Sequence, residues 1–169
     1  MIHPIVKFGD PVLEKKAETV TVFDEELKKL LDDMFESMYA AHGVGLAAPQ
    51  IGISRRIAVI DVTFKEDPKA KLILINPEII HTEGRHTQSE GCLSIPDFRE
   101  NVTRASKVTV RAQDAKGKVY EKTGEELLAR AFLHETDHLN GKLYMSHLSA
   151  LKRDLMKRKI RKLVKGGEW

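Results

Sequence analysis

The strongest constraint on the fold is the segment FLHETDHLNG at residues 132–141. Histidines four positions apart lie one turn above each other on the same face of an α-helix, so His134 and His138 can bind one metal ion. Glu135 projects about 100° around the helix from His134, which places it beside the metal. A carboxylate there can act as a base on water. The segment therefore predicts a helix that carries a metal site.

Flanking residues predict the ends of this helix. Thr123, followed three residues later by Glu126, matches a capping box at its start. Asn140 and Gly141 predict its end, because both residue types accept the left-handed conformation that follows many helices. The apolar side of the helix comprises Leu127, Leu128, Ala131 and Phe132.

A catalytic metal site needs a third protein ligand, and few candidates lie downstream of the second histidine. Tyr144 stands where one class of HExxH protease has a third histidine. The acidic residues after Gly141 are Asp154, within a basic segment, and Glu168, near the end of the sequence. His147 is the remaining downstream candidate, and no motif supports it.

The upstream candidate is Cys92, the only cysteine. It follows a glycine in SEGCLSIP (residues 89–96), where the backbone can pass close to a site. A thiolate is a good ligand for zinc or ferrous iron, and one cysteine with two histidines leaves a fourth position open, as in catalytic sites. On spacing alone, a metal ligand and a small buried apolar residue are equal alternatives for Cys92.

A second amphipathic helix is predicted nearer the start of the chain. Asp24 is its expected N-cap and Gly43 its expected stop. Its apolar face comprises Leu27, Leu30, Leu31, Met34, Phe35 and Met38.

Between these helices, short β-branched segments predict strands at 55–62, 71–77 and 107–114. Residues 114–122 predict a turn and a returning strand. Pro77 is expected to end the second strand or to mark a sheet edge. Strands in the middle with helices near both ends predict an α+β fold.

Residues 149–165 predict a third helix, which is strongly basic. Between 152 and 165, eight Lys or Arg residues accompany one Asp. Lys157, Arg161 and Lys165 form one row, which a helix docked on the core with a solvated charged face explains without any partner. The apolar arc on the other side comprises Leu148, Leu151, Leu155 and Leu163.

Composition limits the class of protein. At 169 residues with 41% apolar and 31% charged residues, the chain is expected to form one domain spanning 1–169. A net charge of +3 and 6% aromatic residues do not indicate sequence-specific nucleic-acid binding. The sequence shows no leader pattern and no membrane-spanning apolar run, so we expect a cytoplasmic protein without a membrane partner.

Three segments together resemble the signature motifs of the peptide deformylase family: GVGLAAPQIG (43–52), EGCLS (90–94) and HETDHLNG (134–141). They occur in the family's order and at familiar separations, and the resemblance extends to the opening HPIVKFGDPVL. It implies small antiparallel or mixed β-sheets around a central HExxH helix, with one helix near each end of the chain.

The resemblance also implies the chemistry. Cys92, His134 and His138 would hold one divalent ion, usually Fe²⁺ in this family, with Zn²⁺, Ni²⁺ or Co²⁺ able to take its place. The implied reaction removes the formyl group from the N-terminal formyl-methionine of nascent polypeptides and releases formate. Glu135 would exchange the protons, while Gln50 and the backbone N–H of Leu93 would stabilise the negative oxygen of the tetrahedral intermediate.

Substrate contacts follow from the same resemblance. Backbone groups of Val44, Gly45 and Gly91 would hold the peptide as an added strand, with help from Arg99. The candidate walls of the methionine pocket are Val44, Leu127 and Ala131, with Glu90 nearby. For Leu127 and Ala131, plain core packing is an equal alternative. Asp137 is expected to support the helix or the ligands.

Three functions therefore compete at this point. The first is a metal-dependent deformylase. An HExxH endopeptidase is disfavoured because a downstream third ligand is lacking. A non-catalytic basic module that binds the ribosome or RNA around a structural metal would not need Glu135. In some family members the basic helix contacts the ribosome, which is the functional alternative for residues 149–165.

Overall fold

Three α-helices and seven β-strands make up the computed structural model, which describes residues 1–169. The helices are α1 (Glu25–Ala40), α2 (Leu127–Leu139) and α3 (Ala150–Lys165). The strands are β1 (Gly45–Ala47), β2 (Ile57–Ile60), β3 (Leu72–Glu83), β4 (His86–Cys92), β5 (Ile95–Arg104), β6 (Lys107–Gln113) and β7 (Val119–Glu125). None of the helices is both long enough and apolar enough to cross a membrane.

The strands form two sheets in which every pairing is antiparallel. A five-stranded sheet has the order β1-β2-β3-β6-β7, and β4 pairs with β5 in a separate hairpin. The central HExxH helix α2 packs on the larger sheet, where its Phe132 is fully buried among Leu74, Val108 and Val110. The predicted α+β fold, with a metal-motif helix at its centre, is confirmed.

The predicted capping box at the start of α2 is wrong. Thr123 lies in β7, where its hydroxyl bonds that of Thr109 at 2.8 Å, so strand pairing outweighs the local capping pattern. The helix begins after Glu126, whose φ is 54°. The predicted exit is confirmed, because Asn140 is the C-cap and Gly141 has a φ of 75°.

At α1 the predicted start is right and the predicted stop is wrong. Asp24 accepts a hydrogen bond from the backbone N–H of Leu27 at 3.0 Å, as an N-cap does. The helix ends at Ala40, ahead of Gly43. The left-handed residue that turns the chain is His42, with a φ of 59°.

Strand β3 runs on past Pro77 to Glu83, so Pro77 does not end the strand. It does mark a local edge, because β2 pairs only with Leu72–Ile75 and the residues after Pro77 pair with β6 alone. Asn76 has a φ of 51°, and the pairing register with β6 shifts between Ile75 and Glu78. Proline is tolerated at such a bulge because the ladder is interrupted there. The predicted strands at 107–114 and 114–122 are confirmed as the hairpin β6–β7.

The hairpin β4–β5 was not predicted. Its strands are mostly polar and include a proline and a glycine, so they lack the β-branched pattern that indicates strands.

Helix α3 has the predicted bounds, but the predicted apolar face is only partly buried, with Leu148, just before the helix, inside the apolar cluster. Leu151 and Leu155 remain 70% and 45% exposed, respectively. The buried residues are Met156 and Ile160, which join a cluster with Ile95. Helix α3 therefore packs against the hairpin β4–β5 through Met156 and Ile160, which the spacing of the leucines did not predict.

A buried carboxylate anchors the loop between β2 and β3 to α1. Asp61 is fully buried and accepts hydrogen bonds from the Tyr39 hydroxyl, from the Thr63 hydroxyl at 2.7 Å, and from the N–H groups of Thr63 and Lys65 at 2.9 and 3.0 Å. Burial alone would raise the pKa of Asp61, but these hydrogen bonds lower it to about 2.

Replacing Asp61 by Asn should lower the free energy of unfolding by about 2–3 kcal/mol at neutral pH, because one acceptor of buried hydrogen bonds becomes a donor. The folded-state pKa lies below the ordinary value of 3.8, so the ionised group stabilises the fold above that pH. The stabilisation is lost as the pH falls through about 2. Denaturant unfolding at a series of pH values should therefore show the wild-type advantage shrinking in acid; a constant advantage would contradict this role.

Candidate active site

The predicted metal ligands converge at one point. Cys92 is the last residue of β4, while His134 and His138 lie one turn apart on α2. The Nε2 atom of His138 is 3.3 Å from Cys92 Sγ and 3.2 Å from His134 Nε2. All three ligand atoms lie within 4.8 Å of one another.

This donor set fits a divalent metal ion. Metal–ligand bonds of about 2.0–2.3 Å in tetrahedral geometry separate the donor atoms by about 3.3–3.6 Å, close to the observed spacing. Burial and the neighbouring His134 lower the pKa of His138 well below its usual value, so its ring is neutral. Neutral imidazole is the form that binds metals.

Glu90 orients one of the two histidines. Its Oε2 accepts a hydrogen bond from Nδ1 of His134 at 2.7 Å, which leaves Nε2 of that ring free to bind a metal. Arg104 bonds both oxygens of Glu90, at 2.7 and 2.8 Å, and Arg130 bonds Oε1 at 2.8 Å. Burial would raise the pKa of Glu90, but Arg104 and His134 hold it well below the usual range.

Arg104 extends this network to Asp137. Its Nη1 donates to Asp137 Oδ2 at 2.9 Å, and His147 Nε2 lies 2.8 Å from the same oxygen. The downstream candidate His147 is thus paired with a carboxylate and lies outside the group of metal-ligand atoms. Asp137 connects α2 to the hairpin, in line with a supporting role.

Glu135 is buried beside the histidines. Its Oε1 has no hydrogen-bond partner, and a Cβ built at Gly45 would lie 2.5 Å from its Oε2. Only glycine therefore allows β1 to pass so close to the carboxylate. Burial raises the pKa of Glu135 to about 7, although the neighbouring His134 acts in the opposite direction. A pKa near neutrality suits a group that takes up and returns a proton.

The amide nitrogen of Gln50 points toward Cys92. Its Oε1 accepts a hydrogen bond from the backbone N–H of Ala47 at 3.0 Å, which orients the side chain. Its Nε2 then lies 3.6 Å from Cys92 Sγ and 3.2 Å from Ser94 Oγ. Leu93 lies in the turn of the hairpin and faces the same cavity.

One cavity of about 680 Å³ connects these groups. The predicted substrate-binding residues that line it are Val44, Gly45, Gly91, Arg99, Leu127 and Ala131. Leu127 is 47% exposed, so it is not a core residue. Ala131 is buried, which is compatible with core packing as well as with a place in the cavity wall. His138 is buried and does not line the cavity.

Two arginines of this site were missed by sequence reasoning. Arg104 and Arg130 are both buried, and each binds Glu90. One signal was available for Arg130, a lone charge within the apolar segment LLARAFL of α2. A buried charge needs a partner. No pattern in the sequence identified Glu90 as that partner.

The fold and the site together define a class of protein. An α+β chain with an HExxH helix, an upstream thiol and a neighbouring buried carboxylate in one cavity has the arrangement of a metal-dependent hydrolase.

Comparison with known proteins identifies the family. The polypeptide deformylase family model matches residues 2–154. A peptide deformylase of Acidobacterium capsulatum is 64% identical over 169 residues, which is 100% of this chain and 99% of the relative. The crystal structure of a peptide deformylase from Legionella pneumophila matches with a TM-score of 0.91 and 48% identity, covering 98% of this chain and 96% of that one. The chain belongs to the polypeptide deformylase family.

Family membership confirms the predicted enzyme class. The chain is a peptide deformylase, and this family is metal-dependent and acts on formylated nascent peptides. A second structure, the peptide deformylase of Thermus thermophilus, matches with a TM-score of 0.90 and 41% identity over 98% of this chain and 97% of that one. The endopeptidase and binding-module alternatives are therefore set aside.

Replacing Glu90 by Gln should weaken metal binding by about 10–100-fold, because the partner that orients His134 loses its charge. Zinc affinity, measured by competition with a chromogenic chelator on folded protein, tests this. Glu100 faces Glu90 across the hairpin but is bonded to Lys152. The matched variant Glu100→Gln should bind zinc as the wild type does, and equal affinities for all three proteins would refute the role of Glu90.

Proposed function

We propose that this enzyme hydrolyses the formyl group from the N-terminal formyl-methionine of nascent polypeptides with Cys92, His134 and His138 as its metal ligands. One observation carries the proposal: the ligand atoms lie within 4.8 Å of one another, and the buried Glu135 stands beside them in the cavity. The fourth ligand position would remain free for the reaction.

Fe²⁺ is the proposed metal, and Zn²⁺, Ni²⁺ or Co²⁺ can bind the same ligands. One thiolate and two imidazoles suit each of these ions, so the ligand set alone does not select among them. When bound, the ion supplies Lewis-acid chemistry, which makes water a nucleophile near neutral pH.

Glu135 moves the protons of the reaction. Its Oε1 lacks a protein partner and its pKa is raised to about 7, so it can take a proton from the attacking water. The same carboxylic acid then gives that proton to the nitrogen of the leaving methionine, while formate departs. Gly45 keeps the space in which this exchange occurs.

Gln50 and Leu93 stabilise the negative charge that develops on the formyl oxygen. Gln50 Nε2 is directed toward the ligand cluster because Ala47 N–H holds its Oε1. The backbone N–H of Leu93, next to Cys92, is the second donor. Donors already in place lower the barrier because they need not reorient during the reaction.

The peptide is held as an extra strand. Strand β1 is an edge of the five-stranded sheet, so backbone groups of Val44 and Gly45 can pair with the peptide on one side. Gly91 binds it from the other side. A Cβ at Gly91 would lie 2.8 Å from Arg99 Nη1, so this glycine lets the Arg99 side chain lie across the strand at the cavity wall.

The methionine side chain enters the part of the cavity next to α2. Leu127 and Ala131 supply apolar walls from that helix, and Val44 closes it from β1. Main-chain pairing leaves the remaining residues of the peptide little constrained, which suits an enzyme that processes many proteins.

Further proposals concern the setting of the reaction. We infer that the enzyme acts in the cytoplasm, where formylated chains are made, and that residues 1–169 work as one domain. The ribosome is a proposed partner through α3, whose exposed side carries most of the basic residues between 152 and 165.

Replacing Glu135 by Gln should lower turnover by about 10²–10⁴-fold, because the amide cannot carry the proton. The metal should remain bound at one per chain, with iron expected in anaerobically purified protein. Formate release from formyl-Met-Ala-Ser, with metal content determined on the same sample, checks both. Glu126 is exposed, and Glu126→Gln is the control that should behave as the wild type. Turnover near the wild-type rate in Glu135→Gln would overturn the mechanism.

Replacing Lys157, Arg161 and Lys165 together by Gln should reduce co-sedimentation with ribosomes at low salt, since attraction between exposed charges is strongest there. Arg161 and Lys165 are exposed and Lys157 is half-buried, and none of them belongs to the apolar cluster, so these substitutions leave Met156 and Ile160 packed. Truncation after residue 149 would remove both.

The control for this experiment removes the same charge elsewhere. Lys7, Lys15 and Lys16 are exposed near the start of the chain, and their replacement by Gln should leave co-sedimentation unchanged. Equal co-sedimentation of both triple variants and the wild type would exclude α3 as the ribosome contact.

A further inference from the structure

The two proposed donors to the formyl oxygen belong to different parts of the fold. Gln50 lies in the 3-10 turn Ala48–Ile51, which follows β1, and the N–H of Leu93 lies in the turn between β4 and β5. Strand β1 and the hairpin β4–β5 belong to separate sheets, so no strand pairing joins them. Both donors must nevertheless reach one oxygen, and a misplacement of about 1 Å can cost about 100-fold in rate. Their separation therefore has to be fixed by other contacts.

The direct hydrogen bonds between Gln50 and the hairpin turn come from its side chain. Gln50 Nε2 lies 3.2 Å from Ser94 Oγ and 3.6 Å from Cys92 Sγ. In the proposed reaction this amide donates to the formyl oxygen and Cys92 binds the metal, so both groups are themselves engaged. A contact that avoids the reacting groups can hold the separation throughout the reaction.

Residues Val6–Phe8, which we name the strap, supply such contacts from their backbone. The N–H of Val6 donates to the C=O of Gln50 at 2.7 Å, and the N–H of Phe8 donates to the C=O of Ser94 at 2.8 Å. Gln50 and Ser94 are both buried, and backbone hydrogen bonds in such surroundings are electrostatically stronger than in water. One short segment thus ties the turn that holds Gln50 to the turn of the hairpin.

Trp169 holds the strap in place on its other side. Its indole Nε1 donates to the C=O of Phe8 at 2.9 Å. Its ring meets that of Phe98, which lines the cavity, edge-on at 6.1 Å between ring centres. Phe8, Phe98 and Trp169 all pack against the apolar cluster that contains Met156 and Ile160 of α3. The strap is therefore fixed between the turns of the site and the core beneath α3.

We propose that Val6 and Phe8 are positioning residues, which keep Gln50 and the N–H of Leu93 at the separation that the reaction needs, and that Trp169 locks them. This inference rests on the proposed role of Gln50 and Leu93. The strap touches neither the peptide nor the metal in this scheme, and it acts only through the two donors.

The strap should affect turnover more than binding. Donors to the developing oxyanion act mainly in the transition state, so their misplacement lowers kcat. The backbone groups proposed to hold the peptide belong to Val44, Gly45 and Gly91, and the proposed metal ligands are held by the Glu90 cluster. KM and metal affinity should therefore stay close to their wild-type values when the strap is weakened.

The test removes a single N–H group. Replacing Val6 by its α-hydroxy acid turns the amide into an ester, which lacks the N–H and keeps the side chain. Formate release from formyl-Met-Ala-Ser, expressed per bound metal so that only folded sites count, should show kcat about tenfold lower and KM within about twofold of the wild type. Trp169→Phe keeps a ring against Phe98 but removes the indole N–H, and it should lower kcat by about threefold.

The same ester at Val20 provides the matched control. The N–H of Val20 donates to Asn76 Oδ1 at 2.9 Å, so this ester also loses one hydrogen bond between distant segments, away from the two donors. Its kcat should equal that of the wild type. In Gln50→Ala the ester at Val6 should cause no further loss, because no side-chain donor remains to be positioned.

The outcomes separate this inference from the reaction on which it rests. An unchanged kcat in the Val6 ester, or the same fold-loss in Gln50→Ala as in the wild type, would overturn the positioning role and leave the deformylase reaction intact. An unchanged kcat in Trp169→Phe would exclude the indole as the lock. No formate from the wild-type enzyme would contradict the reaction itself.

Discussion

The site depends on one buried ion-pair cluster, in which the carboxylate of Glu90 receives hydrogen bonds from Arg104, Arg130 and His134. Glu90 and Arg104 belong to the hairpin β4–β5, and Arg130 and His134 belong to α2. Because the proposed thiol ligand lies on the hairpin and both proposed imidazole ligands lie on the helix, this cluster sets the distance between them. Removing the Glu90 carboxylate would leave the buried Arg130 without its ion-pair partner, which is far more costly than losing a surface ion pair.

The site also depends on glycines, which let the backbone of β1 and β4 approach neighbouring side chains closely. Gly45 lets β1 pass against Glu135, and Gly91 lets the Arg99 side chain lie on β4. Both strands border the same cavity. The space that a side chain at residue 45 would take is filled by Glu135, and at residue 91 by Arg99. The Glu90 cluster is built from buried charges, whereas the two strands at the cavity carry glycines. In the proposed reaction, main-chain pairing along these strands would select little among substrate side chains.

Local patterns predicted the elements that bury an apolar stripe, and contact with distant residues explains the errors. The N-cap Asp24, the exit at Asn140 and the hairpin β6–β7 follow from neighbouring residues and are confirmed. Thr123 matches a helix cap by its spacing from Glu126. Its pairing with Thr109 of β6 cannot be recognised from the neighbouring residues. Strands β4 and β5 were missed because the buried residues of this hairpin include charged ones.

The amino-acid sequence by itself determined the helix with His134, Glu135 and His138, because side chains four apart on a helix necessarily share a face. It also determined the family, since three motifs occurred together in order. Spacing alone left Cys92 undecided between ligand and core residue, and the resemblance to the family implied a ligand. The tertiary structure places its sulfur 3.3 Å from Nε2 of His138. The Glu90 cluster was likewise decided by tertiary structure. The physical reason is the same in each case: these contacts join residues that belong to different elements and lie far apart in the chain, and no local periodicity encodes them.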